Sequence, residues 1–298
     1  MLKNSDPGTN DFLNTIRENN LKLFAFTIDL ESEYVGLIDR TRNEIFNDLD
    51  KIDEVLSILT SLDVKITVFV TGKLFELFPE VIKLMEDYHC EFEAHSYSHD
   101  YKNPDSEFEI VKAKEAYFNY FNKYPKGYRA PRGKISRRGI KHLEKHGFLY
   151  DSSIFPSYFP NPFRYLFSNK DIHYFNGSGT MEIPFTSITP LRLTLSISYI
   201  KLFGVDFYIK LSKIFPLSPV ICFDSHLHDF IHVDSSFNKL PLYWRIPYRR
   251  NKLKGTEYCV KYIKHMKQMG YQFCYMSELY ELGKKALPSS SGYTNVSR

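Results

Sequence analysis

Leu21 to Leu30, LKLFAFTIDL, is a nearly unbroken apolar run that closes on acid. A run with no polar face to offer water belongs in a strand covered on both sides, as in a parallel sheet. The same pattern returns along the chain. Val64 to Thr71 (VKITVFVT), 90–95, 127–131, 147–152, Met181 to Pro184, Val220 to His226 and 271–275 all read as strands. Helical stretches separate them. Glu44 to Leu59 sets Ile45, Leu49, Ile52, Val55, Leu56 and Leu59 on one face. Gly72 to Met85 follows, with Pro79 near its first turns, and then 106–123, 136–146, 195–214, 256–268 and a short last helix. Alternation of this kind, repeated about eight times, predicts one parallel α/β sheet, open or closed into a barrel.

At 298 residues the chain can bury a full core. We expect a loosely packed lead-in over 1–20, one catalytic domain over 21–285 and a Ser/Gly-rich disordered tail over 286–298. A net charge of +4 is too mild for nucleic-acid binding to be the main function. Cys90, Cys222, Cys259 and Cys274 form no C-x-x-C pair, which fits a reducing compartment. The N-terminus lacks an apolar signal core, and no uninterrupted apolar run reaches the roughly 18 residues of a membrane span. The expectation is a cytoplasmic protein, with work at the inner membrane face left open. Trp244 to Lys254, WRIPYRRNKLK, reads as a solvated basic loop, the alternative being a grip on a diphosphate or an anionic membrane.

In barrels built this way, chemistry gathers at the C-terminal ends of the strands. Here those ends carry Thr27-Ile28-Asp29-Leu30-Glu31, then His95 leading to His99, then Arg129-Ala130-Pro131-Arg132, then Asp151, and last Asp224-Ser225-His226-Leu227-His228-Asp229. H-x-x-x-H lets two imidazoles meet one cation, and a carboxylate with two imidazoles and an open position is a catalytic zinc arrangement. Each piece also has a plainer reading. Asp29 fits a helix cap, Arg129 a surface pair for Asp151 or Glu144, and Asp151 with its serines a turn cap. His89, His142, His146, His173 and His265 have no partners by spacing and are expected in solvent, while His232 is a weak candidate near the site.

Taken in order from about Leu23 to Leu282, these residues resemble the polysaccharide deacetylase (NodB-homology) family of metal-dependent sugar deacetylases. ITVFVTGKLFELFPEVIKLMEDYHCEFEAHSYSH, MEIPFTSI and YQFCYMSEL resemble further family segments. The resemblance implies a distorted (β/α) barrel. It implies that His95 and His99 are the metal pair of H-[ST]-x-x-H and that Asp29 is the general base. Leu30 stands where the second acid usually follows, so the D-x-E form of the motif would make Glu31 the metal carboxylate. Arg129 matches the arginine that holds the base, and Asp151 loosely matches the acid of the fourth motif. The last motif fits two ways: His226 as in H-P-x-E-[FL], or His228 as in L-H-D, with His226 preferred at the natural end of VICFDS.

The family reading implies a divalent metal, most naturally Zn2+, and an N-acetylated sugar or glycan substrate, nucleotide- or lipid-linked given the missing export signal. Water would attack the acetyl group with Asp29 as base and His226 as acid, kept protonated by an acid such as Asp151. The alternatives are a metal-dependent amidohydrolase of a non-sugar C–N bond and an inactive carbohydrate-binding scaffold.

Overall fold

The computed structural model describes residues 16, 18, 20–31, 43–158, 165–188, 190–238, 245 and 249–287. Most of the expected lead-in, the tail beyond Leu287 and, within the Trp244 to Lys254 stretch, residues 244 and 246–248 lie outside them. Among the described residues eleven strands are formed: β1 (Leu23–Leu30), β2 (Ile66–Val70), β3 (Glu91–Ala94), β4 (Gly127–Tyr128), β5 (Tyr150–Asp151), β6 (His173–Tyr174), β7 (Met181–Glu182), β8 (Ser187–Ile188), β9 (Leu193–Thr194), β10 (Val220–His226) and β11 (Gln272–Phe273). The main sheet runs β10-β1-β2-β3-β4-β5-β7-β6, with β11 added on β1. Every pairing in it is parallel except that of β6 with β7.

The sheet curls until the segment after β7 meets β10. Thr186 N–H donates to the Cys222 carbonyl at 3.1 Å, and Cys222 N–H donates to Thr186 Oγ1 at 2.9 Å. Ser196 bridges to Asp224 just above. The expected distorted barrel therefore forms, its seam held by a few bonds instead of a full ladder.

All eight residues of β1 are buried, because one face meets helices and the other the barrel interior. Phe24, Phe26, Ile28 and Leu30 join the outer core with Ile52, Leu56, Tyr262 and Met266 of the flanking helices. Leu23 and Ala25 face inward to Phe69, Tyr150, Met181, Phe185, Val220 and Cys222. Fully burying each large apolar side chain contributes about 1.5–3 kcal/mol, so this central strand anchors the fold. Period-two alternation then sends Thr27 and Asp29 inward as well.

Several expected helices are broken where the local chemistry breaks them. The 72–85 stretch becomes Leu74–Leu77 and Pro79–Asp87. Phe78 lies outside the helical region (φ −139°, ψ 53°) because the following proline disfavours it there. The 195–214 stretch splits at Gly204 (φ 96°) into Ile197–Phe203 and Val205–Ile214. No helix among the described residues is long and apolar enough to cross a membrane. All four cysteines are free and buried.

Candidate active site

The register of β1 with β10 places Thr27 opposite Asp224 and Asp29 opposite His226, all on the inner face at the C-terminal rim. Across the barrel, β4 brings Arg129 into the same space; its N–H donates to the Ala94 carbonyl at 2.9 Å. The Arg129 side chain is buried (1% exposed) on the barrel interior, stacked between the rings of Phe69 (3.9 Å) and Phe185 (4.2 Å). It donates to Asp29 Oδ1 (2.5 Å), Thr27 Oγ1 (2.8 Å), the Ser152 carbonyl (3.0 Å) and Ser152 Oγ (3.0 Å). A guanidinium so enclosed survives burial because every edge meets an acceptor and one acceptor is charged. It is no surface pair, and Asp29 is no helix cap.

Asp29 Oδ2 points the other way, 4.0 Å from His95 Nε2. There Glu31, His95 and His99 converge. His95 Nε2 lies 3.2 Å from Glu31 Oε2, and His99 Nε2 is in contact with that same oxygen. The His95 Nδ1–H donates to the Arg129 carbonyl at 2.9 Å, which leaves Nε2 as the nitrogen turned toward Glu31. Apart from that contact with Glu31, the ring nitrogens of the buried His99 meet no hydrogen-bond partner among the described residues. Burial alone would push the Glu31 carboxyl up, but the imidazoles of His99, His95 and His226 hold it well below the ordinary range. One carboxylate oxygen and two imidazole nitrogens lie within 4.8 Å of one another. Two buried ring nitrogens turned on one carboxylate oxygen are what a zinc-type donor set needs, so these residues fit a divalent cation.

The two histidines of the last motif differ in position. His226 Nε2 faces Glu31 Oε1 at 3.7 Å, while His228 stacks behind the His226 ring with centroids 4.7 Å apart. Burial and the neighbouring His226 push the His228 imidazole down to about 3. Burial would lower His226 too, but Asp224, Asp229, Glu31 and Asp29 together raise it well above the usual histidine value. Asp229 accepts from the His226 N–H at 3.0 Å and from Ser198 Oγ at 2.7 Å, and its carbonyl accepts from the buried Lys201 Nζ at 2.9 Å. Asp224, two residues before His226 and so on the same strand face, has Oδ1 3.9 Å from Arg129. Burial first, and the Asp29 charge beside it, push the Asp224 carboxyl up to about 7.

Asp151 does not stand behind His226. Alternation in β5 turns Tyr150 and Ser152 inward, and Asp151 lies with Glu182 instead, accepting from Ser153 Oγ at 2.7 Å. Burial pushes it up to about 6, and it raises Glu182 further, as two buried carboxyls sharing a proton must. Asp224 and Asp229 belong to the strand end read from the sequence but carried no role there, and Lys201 lay outside every strand end; the signal for Asp224 is its place two residues from His226. Among the other histidines, His265 is buried with Ser212 Oγ at 2.8 Å instead of lying in solvent, and His146 pairs with Glu107 at 2.8 Å. His232 is bonded to Asp234 and Lys252. Arg132, exposed and left-handed (φ 58°), lays its guanidinium over Tyr101, whose ring meets His99 edge-on.

Residues 45–150 match the family model described as polysaccharide deacetylase, a span that includes His95, His99 and Arg129. A peptidoglycan deacetylase-like protein of Gibberella zeae is 30% identical over 145 residues, covering 44% of this chain and 43% of that protein. The chain thus matches less than half the length of that curated relative. Among solved structures, a Mycobacterium smegmatis protein assigned to the polysaccharide deacetylases aligns over 93% of both chains with a TM-score of 0.60 at 19% identity. A Bacillus anthracis pseudoenzyme of the CE4 family aligns with a TM-score of 0.51 at 17% identity, over 88% of this chain and 66% of that one. Residues 45–150 thus match the polysaccharide deacetylase model, and the fold as a whole is shared with a solved structure assigned to that family.

Proposed function

We propose that the protein is a metal-dependent hydrolase that removes an acetyl group from an N-acetylated sugar within a glycan. The observation that carries this is the convergence of Glu31, His95 and His99 beside Asp29, whose other oxygen is fastened by Arg129. A divalent cation held by Glu31, His95 and His99, with zinc the best chemical match, supplies Lewis-acid polarisation of the acyl oxygen and of the attacking water. Asp29 takes the proton from that water at Oδ2, since Arg129 keeps Oδ1 occupied and the carboxylate oriented. His226 gives its Nε2 proton to the departing sugar nitrogen, without which the C–N bond cannot break. Asp224 and Asp229 favour the protonated imidazole and take over the role expected of Asp151. Water is consumed, and the products are acetate and an amino sugar.

The inactive-scaffold reading loses ground because the donor set, the carboxylate held by arginine and the rim histidine are all in place. The Gibberella zeae relative makes peptidoglycan-type N-acetyl sugars the first substrates to try, and nucleotide- or lipid-linked N-acetyl sugars the second. The test is acetate release from such a panel by zinc- or cobalt-loaded protein, repeated with His95→Ala. Release lost together with bound metal supports the reading; a metal-loaded protein silent on every sugar would favour an amidohydrolase of another C–N bond.

A further inference from the structure

The turn that carries the two imidazoles is held by a residue outside the donor set. Ser96 (φ 55°) and His99 (φ 59°) both sit in the left-handed region that non-glycine residues avoid. That backbone brings two rings four positions apart to one oxygen of Glu31. It stays there because its amides are taken. Glu109 Oε2 accepts from the N–H groups of Tyr97 (3.0 Å) and Ser98 (2.7 Å), and Oε1 accepts from Ser98 Oγ (2.6 Å). Inside the turn, Ser96 Oγ accepts from the His99 N–H at 3.1 Å. From below, the Ser96 and Tyr97 carbonyls accept from Gly72 and Lys73. Glu109 itself is buried (3% exposed) in the first turn of helix Glu107–Phe121, where Ser106 Oγ caps its N–H.

A carboxylate buried there, with no ion-pair partner among the described residues, is kept by hydrogen-bond donors, and all of those donors belong to residues 97 and 98. We infer that Glu109 is a positioning residue for the cation site: it holds the His95–His99 turn in the form that offers both Nε2 atoms before any cation arrives. The inference rests on the cation site proposed above.

The test measures zinc affinity of the full chain by competition with a chromophoric chelator, alongside melting of the metal-free protein. Glu109→Ala, which removes all three bonds, is expected to raise the zinc Kd by about 10–100-fold, the usual effect of losing an outer-shell support. Glu109→Gln is expected to restore most of the affinity, because one amide oxygen accepts both N–H groups while the amide nitrogen donates to Ser98 Oγ. Ser106→Ala strips the helix cap without touching the turn, so it should lower melting and leave the zinc Kd unchanged. If Glu109→Ala does not fold, Ser98→Ala removes one bond of the three and should give a smaller rise in Kd. Wild-type affinity in Glu109→Ala or in Ser98→Ala, or an equal loss in Ser106→Ala, overturns the inference. A wild-type chain that binds no zinc overturns the cation site and this inference with it.

Discussion

Replacing Arg129 separates its charge from its shape. In Arg129→Lys the charge stays, but an ammonium cannot span Asp29, Thr27 and both oxygens of Ser152. Two or so of the four bonds go, at about 0.5–1.5 kcal/mol each. Part of the stacking between Phe69 and Phe185 goes too, about 0.5–2 kcal/mol. The expected loss is about 1.5–5 kcal/mol. Arg129→Met keeps apolar bulk between the rings but strips Asp29 of its counter-charge. An uncompensated carboxylate in that interior costs about 3–5 kcal/mol more. Against a total stability of about 5–15 kcal/mol, the Met variant sits near the edge of folding. Urea titrations of both variants, analysed with a shared m-value, measure the difference. Adding Asp29→Asn to the Met variant should recover part of the loss, as coupled neighbours do. If Met proves no worse than Lys, the guanidinium charge is not what holds Asp29, and the argument for a base oriented by Arg129 fails.

Two further outcomes follow from the interior. Burial, with Glu91 beside it, pushes the Glu93 carboxyl from the ordinary 4.5 up to about 8, while Lys126 and Gly127 N–H groups donate to it. The folded chain keeps that proton where the unfolded chain has lost it, so stability falls as pH rises through the window from 4.5 to about 8. Glu93→Gln should therefore gain on wild type across that window, by at most about 1.4 kcal/mol per pH unit; parallel urea-stability curves would count against it. Gly255 lies so close to Asp229 that a Cβ would meet its carbonyl oxygen at 1.8 Å. Gly255→Ala should cost about 1–3 kcal/mol through overpacking, and an unchanged melting temperature would show that the Asp229–Lys201 support yields freely.

What the sequence made legible was what periodicity governs. The apolar runs of β1, β2 and β10 announced strands covered on both faces, and the polar residues at their ends announced a shared rim. The D-x-E spacing and H-x-x-x-H named the residues that the fold gathers around one point. Asp151 was misplaced because strand ends were matched without counting the pleat, which turns its neighbours Tyr150 and Ser152 inward. Asp224 was within reach of the same count from His226. Glu109 and Lys201 were not, since each acts through backbone atoms of a turn distant in sequence, and no pattern of side-chain types records that. The break before Pro79 was legible in principle, the split at Gly204 less so, because a glycine inside a helical pattern is often tolerated.

The acids at positions 29 and 31 follow the stride of an extended backbone. Leu30 between them is 1% exposed and packs in the outer core, among side chains from the flanking helices. On this backbone an acid written directly after Asp29 would be driven into that oily layer, away from His95 and His99. To aim an acid at position 30 toward those imidazoles, this chain would have to end β1 one step sooner or bend it there. The gap between the two carboxylates measures how far a strand runs straight before it lets go of the sheet.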